Sequence, residues 1–337
     1  MSEYFLKNFG VIPNNEQRKK ARLMNIEADV DKLLEVAAPI WDSTDRPAVV
    51  SWQAYRPVLE AEAEQIKTIR KAGRLEQWWE TARRIGLPAE KLFLESQGNK
   101  GSCAGCSMFE RAYLVSVLKQ ISLGAEMEVE RINPMVTYAQ SLGCNRDGER
   151  IPDGQTIAAV LNAGAEIGTY PARLVGEYDP YARYSQEWEK YSADAAQRQM
   201  GVCPLTNENG DSLPPGEMAA AIGLALRANK AVEFGNMNAV ANFQADDGEE
   251  LIGVVSGKWS HATIWSGYKI SNGKEYFRWE NTHGNIYKSK DGAPKFGCWF
   301  DWEGLQRMCS AAFCDAGIIT YAEAPRGEPR KDLNPRE

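Results

Sequence analysis

Two different hydrophobic repeats divide the chain near residue 230. Before this point, apolar residues recur every three or four positions, which is the repeat of amphipathic helices. After it, apolar and polar residues alternate, which is typical of strands with one buried face. A helical half that is followed by a strand-rich half predicts an α+β fold rather than alternating α/β units.

The predicted helices differ in how much of their surface is apolar. The helix predicted at 108–121 is apolar on most of its faces, so we expect it to be buried. Residues 172–215 show little periodicity, and we interpret them as a long irregular excursion. The predicted helices cover residues 16–38, 57–73, 75–85, 108–121, 132–142, 153–167 and 216–228.

The second half of the chain is expected to form a sheet. Asn272 and Gly273 separate two of its predicted strands, and both residue types accept positive φ. This dipeptide therefore predicts a tight hairpin turn between those strands. The predicted strands cover residues 231–243, 251–255, 261–270, 275–281 and 317–322.

Composition and charge restrict the partners. The chain of 337 residues carries 39 basic and 46 acidic residues, and this acidic balance argues against binding to the phosphates of nucleic acids. No apolar run reaches the length of about 18 residues that a membrane span needs. The first residues lack the apolar core of a signal peptide. Seven cysteines are too few for a disulfide scaffold. The sequence has two histidines, so any mechanism that needs an imidazole must use His261 or His283.

The sharpest local motif is QGNKGSCA at residues 97–104, directly before the apolar helix. A thiol at a helix N-terminus meets unpaired backbone N–H groups and the positive end of the helix dipole, so we expect Cys103 to favour the thiolate. The glycines allow backbone N–H groups to approach an oxyanion closely, and Gln97 can add a side-chain amide donor. A buried, inert cysteine at a tight turn is the alternative interpretation of Cys103.

Two further segments carry polar side chains at the same end of the predicted sheet. His261 begins one strand, and Asn281 ends the next one along the chain. The hairpin between these strands brings both residues to the same end of the sheet, where an asparagine can fix the orientation and tautomer of an imidazole. A histidine in a strand is, taken alone, more often structural.

Together these segments resemble the papain-like cysteine peptidases. The matching motifs are QGNKGSC at 97–103, SHA at 260–262 with GY at 267–268, and ENTHG at 280–284, in the order that the family has. The resemblance implies a two-lobe fold, with a helical lobe that carries the cysteine and a β-barrel-like lobe that carries the histidine and asparagine. The implied roles are nucleophile for Cys103, general base and acid for His261, orienting residue for Asn281 and oxyanion donor for Gln97.

The same resemblance implies that the chain hydrolyses peptide or protein substrates through a thioester, without a cofactor or metal. The resemblance covers residues 93–324, and we interpret residues 93–325 as the peptidase domain. Residues 1–92 are interpreted as a helical N-terminal extension that can bind protein partners, and residues 326–337 as a charged tail.

Three positions depart from the family pattern. Ala104 stands where an aromatic residue commonly follows the nucleophile, and Lys100 where a cysteine often pairs with the equivalent of Cys144. We therefore expect Cys103, Cys106 and Cys144 to be free thiols. His283 replaces the tryptophan that shields the hydrogen bond between histidine and asparagine, so we expect water to reach Asn281 more easily.

Other interpretations of the motifs stay open. Cys103 and Cys106 form a CxxC motif, which also occurs in redox proteins and zinc sites, although Cys309 and Cys314 are a poor second pair. Cys106 is a second candidate for the nucleophile. A chain with this fold can also serve as a structural component of a phage virion or another large assembly. We expect a cytoplasmic or virion-associated location.

Overall fold

The computed structural model describes residues 48–246, 251–287 and 291–325. Helices dominate the described chain before residue 231 and strands dominate it afterwards, which confirms the predicted α+β fold. The helix predicted at 16–38 and the charged tail at 326–337 lie outside the described residues.

Polar side chains begin several of the helices. Ser51, Asn133 and Thr156 each accept a hydrogen bond from a backbone N–H in the first helical turn that follows. The helices are Trp52–Lys71 (α1), Trp78–Arg84 (α2), Ala89–Leu92 (α3), Cys103–Gly105 (α4), Tyr113–Ser122 (α5), Pro134–Ser141 (α6), Ile157–Glu166 (α7), Ala172–Val175 (α8), Ser192–Ala196 (α9), Pro215–Arg227 (α10) and Trp302–Cys309 (α11), with a π-helical segment at Cys106–Ala112 and a 3₁₀ helix at Gln186–Tyr191.

The sheet of the described residues has six strands: Met200–Pro204 (β1), Ala231–Asp246 (β2), Leu251–Ser271 (β3), Lys274–Glu280 (β4), Gly297–Phe300 (β5) and Cys314–Ala322 (β6). Their order in the sheet is β1-β6-β2-β3-β4-β5. A short parallel pairing of β3 with β5 curls the sheet at one end. Asn272 and Gly273 have φ values of 44° and 81°, which confirms the predicted turn between β3 and β4.

Several elements differ from the sequence-based expectations. The helix predicted to begin at Pro57 begins at Trp52, because the Ser51 side chain caps it there and Pro57 is accommodated inside the helix. Two predicted strands form the single strand β3, whose register against β2 shifts at several points. The excursion at 172–215 contains β1, which pairs with β6. Neither β5 nor α11 is predicted from the sequence.

One continuous helix, built from α4, the π-helical segment and α5, lies at the centre of the molecule; we call residues 103–122 the central helix. It is buried along most of its length, as its apolar pattern predicts. Its start contacts the sheet directly, since Ser107 donates a hydrogen bond of 2.7 Å to Glu233 on β2. Cys103 therefore lies where the helical part of the chain meets the sheet.

Residues 48–92 pack against both the helical part and the sheet. Val49 forms a β-bridge with Val202, and α1 lies in the same apolar cluster as α10 and the sheet. Trp78 stacks on Phe296 at 6.2 Å between ring centroids. The division of the chain at residue 92 stays a prediction. In the described ranges, no helix is long and apolar enough to cross a membrane.

Candidate active site

The Cys103 side chain lies against the strand that carries His261. Its Sγ atom accepts a hydrogen bond of 3.3 Å from the backbone N–H of Ala262, the residue after His261 on β3. On another side of the first turn of the central helix, a Cβ atom at Gly105 would lie 2.8 Å from Cβ of Tyr138, so this position needs a glycine for the close approach of α6. The fold thus brings together two residues that are far apart in the sequence.

His261 and Asn281 are directly hydrogen-bonded. Nε2 of the imidazole lies 2.8 Å from Oδ1 of the amide, and the same oxygen accepts the Thr282 backbone N–H at 2.7 Å. Because an N–H group must point at an acceptor, the Thr282 bond fixes which amide atom faces the ring. Nε2 therefore carries the hydrogen, and Nδ1 of the neutral ring holds the lone pair that a general base uses.

Aromatic rings enclose the His261 imidazole. The His283 ring stacks on it with centroids 4.5 Å apart and an interplanar angle of 19°. The Trp259 indole meets it at 4.7 Å and 61°. Asn281 is only 1% exposed, so the expectation that His283 admits water to this residue is wrong. The His283 ring covers the His261 imidazole, a role for which the resemblance implied a larger indole.

Gln97 is bound to the segment that follows Asn281. Its backbone N–H donates to the Thr282 carbonyl at 2.8 Å, and its Oε1 accepts a close hydrogen bond from the Thr282 hydroxyl. Nε2 donates to the Lys100 carbonyl at 2.8 Å. One hydrogen of this amide remains for a further acceptor, and the role of oxyanion donor stays a prediction.

An ion pair holds the loop before Cys103. Lys100 lies 3.1 Å from Asp153 and also donates to the Ile151 carbonyl at 2.6 Å. The same carboxylate accepts the Gly101 backbone N–H at 3.1 Å. Cys103, Cys106 and Cys144 are free thiols, which confirms the prediction drawn from Lys100.

Tyr178 anchors the same loop from the excursion at 172–215, a contact that the sequence analysis missed. Its hydroxyl donates to the Gln97 carbonyl at 2.9 Å and lies 2.9 Å from Oγ of Ser102. The aromatic content of this excursion was the available signal, but no periodicity indicated which tyrosine reaches the loop. The contact ties a distant segment to both sides of the motif at 97–103.

Burial dominates the electrostatics of Cys103. The side chain is 0% exposed, and this loss of hydration raises the pKa of the Cys103 thiol, while the Ala262 N–H bond lowers it. Cys106 and Glu233, when they carry a negative charge, raise the pKa of Cys103 further. The expectation of a thiolate in the free protein is therefore wrong, because the helix N-terminus is enclosed rather than reached by solvent.

Cys106, the other candidate nucleophile, lies in a different environment. Its Sγ atom lies 3.7 Å from Oγ of Ser102. Burial raises the pKa of the Cys106 thiol to about 12. The hydrogen bond to the strand of His261 belongs to Cys103, so the geometry favours Cys103 as the nucleophile.

Ionisable side chains that the sequence analysis did not single out lie on the buried π-helical segment. Glu110 accepts the Leu94 backbone N–H at 2.6 Å, and Arg111 donates to the Leu94 carbonyl at 3.1 Å. The Arg111 guanidinium lies 4.1 Å from the centroid of the Phe296 ring. Burial raises the pKa of Glu110 to about 7, with the Arg111 charge opposing this shift.

Comparison with protein-family models and with curated proteins finds no match for this chain. Among solved structures, similar chains include xylellain, a cysteine protease from Xylella fastidiosa, with a TM-score of 0.45, 12% identity and coverage of 68% of this chain and 83% of that chain. Digestive procathepsin L 3 of Tenebrio molitor larval midgut has a TM-score of 0.43, 12% identity and coverage of 87% and 97%. Digestive procathepsin L2 proteinase of the same midgut has a TM-score of 0.44, 15% identity and coverage of 96% and 81%. At these low identities and TM-scores, the proposal of a function rests on the geometry of the site.

Proposed function

We propose that the chain is a papain-like thiol peptidase that hydrolyses peptide bonds, with Cys103 as nucleophile, His261 as general base and acid, Asn281 as orienting residue and Gln97 as oxyanion donor. The observation that carries this proposal is the hydrogen bond of 2.8 Å between Nε2 of His261 and Oδ1 of Asn281. Ala262, the residue after His261 on the same strand, donates its backbone N–H to the Cys103 sulfur. A nucleophile, a base and a group that orients the base are the parts that covalent acyl transfer needs.

The proposed reaction proceeds through a thioester. Nδ1 of His261 takes the thiol proton, and the Cys103 sulfur attacks the substrate carbonyl carbon. The resulting oxyanion accepts N–H hydrogen bonds at the start of the central helix and from Gln97. The imidazolium gives its proton to the leaving amine as the C–N bond breaks. Water, deprotonated by the same imidazole, then attacks the thioester and releases the acid and the thiol.

Burial of the site affects the first step. Since desolvation raises the pKa of Cys103, an isolated thiolate is unfavourable, and the negative sulfur must form together with the positive imidazole. Asn281 stabilises that imidazolium by accepting its Nε2 hydrogen. We therefore expect proton transfer to accompany substrate binding rather than to precede it. Isopeptidase and transamidase reactions share these steps and differ only in the amine or acceptor.

A structural role in a large assembly is the second candidate. The observation that favours it is the closure of the site, because Cys103 and His261 are both 0% exposed and Gln97 is 2% exposed. A peptide cannot reach a sulfur in this position unless the surrounding loops move. A scaffold, in contrast, needs no access to the thiol.

Covalent labelling separates the two candidates. The chain is treated with a peptide that carries an epoxide electrophile, intact mass is measured, and the modified residue is mapped. We expect one adduct on Cys103, parallel hydrolysis of a fluorogenic peptide pool, and loss of both in Cys103→Ala. Cys106→Ala is the matched control and should keep both. A wild-type chain that forms no adduct and cleaves no peptide would overturn the peptidase proposal in favour of the scaffold.

A further inference from the structure

The ring stacked on His261 is itself titratable. His283 lies two residues beyond Asn281, and its ring is nearly parallel to that of His261, with centroids 4.5 Å apart. Its Nε2 atom is buried and has no hydrogen-bond partner within the described residues. If the His283 ring were protonated, the hydrogen on Nε2 would therefore have no acceptor among the described residues.

The charges around His283 oppose protonation. Loss of hydration lowers the pKa of His283, and the positive charge of Arg111 lowers it further. Arg111 is fully buried, and its Nε and Nη1 atoms have no hydrogen-bond partner among the described residues. Two of the three guanidinium nitrogens of Arg111 thus have no hydrogen-bond acceptor among the described residues.

Glu280 on β4 acts on the Arg111 charge, and so does Glu110, which lies next to Arg111 on the central helix. The pKa of Glu110 is raised to about 7, so the carboxylate is lost as the solution becomes acidic. In that range the Arg111 charge is compensated even less, which further disfavours a cation on His283. The imidazole of His261 is the titratable group that stacks on this ring.

We propose that His283 is a positioning residue that supports His261 only as a neutral imidazole, and that its protonation switches the site off at acid pH. This inference rests on the proposed function, because the reaction makes His261 a cation. A neutral ring can lie flat on that cation, whereas two imidazolium rings at the observed separation repel each other. Protonation of His283 therefore gives a second reason for peptidase activity to fall at acid pH.

The first test compares pH profiles of kcat/KM with a fluorogenic peptide for wild type, His283→Phe, His283→Ala and Glu110→Gln. Phenylalanine keeps a flat ring but cannot be protonated. Below the pKa of His283, we expect His283→Phe to retain up to about tenfold more of its pH 7.5 rate than wild type for each further pH unit, since one inhibitory proton is gone. His283→Ala removes the stack and should be about tenfold slower at every pH. Glu110→Gln, which leaves His283 in place, should keep a steep acid limb.

A second measurement does not depend on activity. The chain has only two histidines, so selective isotope labelling gives two imidazole signals, and His283→Phe assigns them. We expect the His283 signal to titrate below the ordinary value of 6.5 and to shift when His261→Phe removes the partner ring. A His283 signal that titrates at or above 6.5, or identical acid limbs in wild type and His283→Phe, would overturn the proposal. A protein without peptidase activity whose His283 titrates as expected would instead refute the proposed function.

Discussion

Replacement of Asn281 by alanine tests the proposed triad most directly. The change removes the acceptor that lies 2.8 Å from Nε2 of His261, in a position that is 1% exposed. Water cannot readily take the place of a buried amide oxygen, so the imidazolium formed in the reaction would lose a charge-assisted hydrogen bond. Such bonds contribute about 1.5–3 kcal/mol.

This free energy converts into a rate. Because each 1.36 kcal/mol corresponds to a factor of about ten, we expect kcat/KM of Asn281→Ala to fall by roughly 10- to 150-fold. The loss should appear mainly in kcat, since the bond strengthens as His261 becomes charged. Asn281→Asp, which keeps an acceptor at this position, should lose less at neutral pH.

The assay is steady-state hydrolysis of a fluorogenic peptide, combined with urea unfolding of each variant. Asn238→Ala is the matched control, because Asn238 is also a buried strand residue, whose amide donates to the Arg307 carbonyl at 2.7 Å. It should lose stability without a comparable loss of kcat. A folded Asn281→Ala protein with kcat within about twofold of wild type would refute the assigned role.

Three further predictions concern the two candidate nucleophiles, Gly105 and Glu110. Cys103→Ala should abolish hydrolysis whereas Cys106→Ala retains it, which a discontinuous peptide assay checks; the reverse result would place the nucleophile one helical turn further along. Gly105→Ala should destabilise the fold by about 1–3 kcal/mol in urea unfolding, because its Cβ would lie 2.8 Å from Cβ of Tyr138; an unchanged midpoint would contradict this packing. Glu110 has a pKa raised to about 7 in the folded state against an ordinary value of 4.5. The folded chain therefore binds more protons between these values, and its stability falls as pH rises through them. Glu110→Gln should remove this part of the pH dependence, and equal slopes in both proteins would show that Glu110 does not cause it.

The positions of the proposed catalytic residues were predictable where local signals decide them. The turn at Asn272-Gly273 determines that β3 and β4 pair, and this pairing alone brings His261 and Asn281 to the same end of the sheet. The apolar pattern at 108–121 likewise predicts a buried helix directly after the motif that contains Cys103, and in the structure the helix begins at that cysteine. Both conclusions need only short-range sequence information.

Other features depend on contacts between distant segments. The strand β1 is only five residues long and is stabilised by pairing with β6, more than a hundred residues later, so its own sequence carries little signal. The strand β5 is shorter still. The complete burial of Cys103, which reverses the expected direction of its pKa shift, also arises from tertiary packing and is absent from the local motif.

The ion pair between Lys100 and Asp153 determines what kind of solution can loosen the loop before Cys103. A covalent bridge at this point would break on addition of a reducing agent and would otherwise stay closed. An ion pair responds instead to ionic strength, and it reforms without any oxidant once the salt is removed. The partly exposed Asp153 side chain, with a relative exposure of 38%, leaves the pair within reach of added salt. The strength of this ion pair can therefore be adjusted continuously and reversibly by salt, in a protein kept under fully reducing conditions.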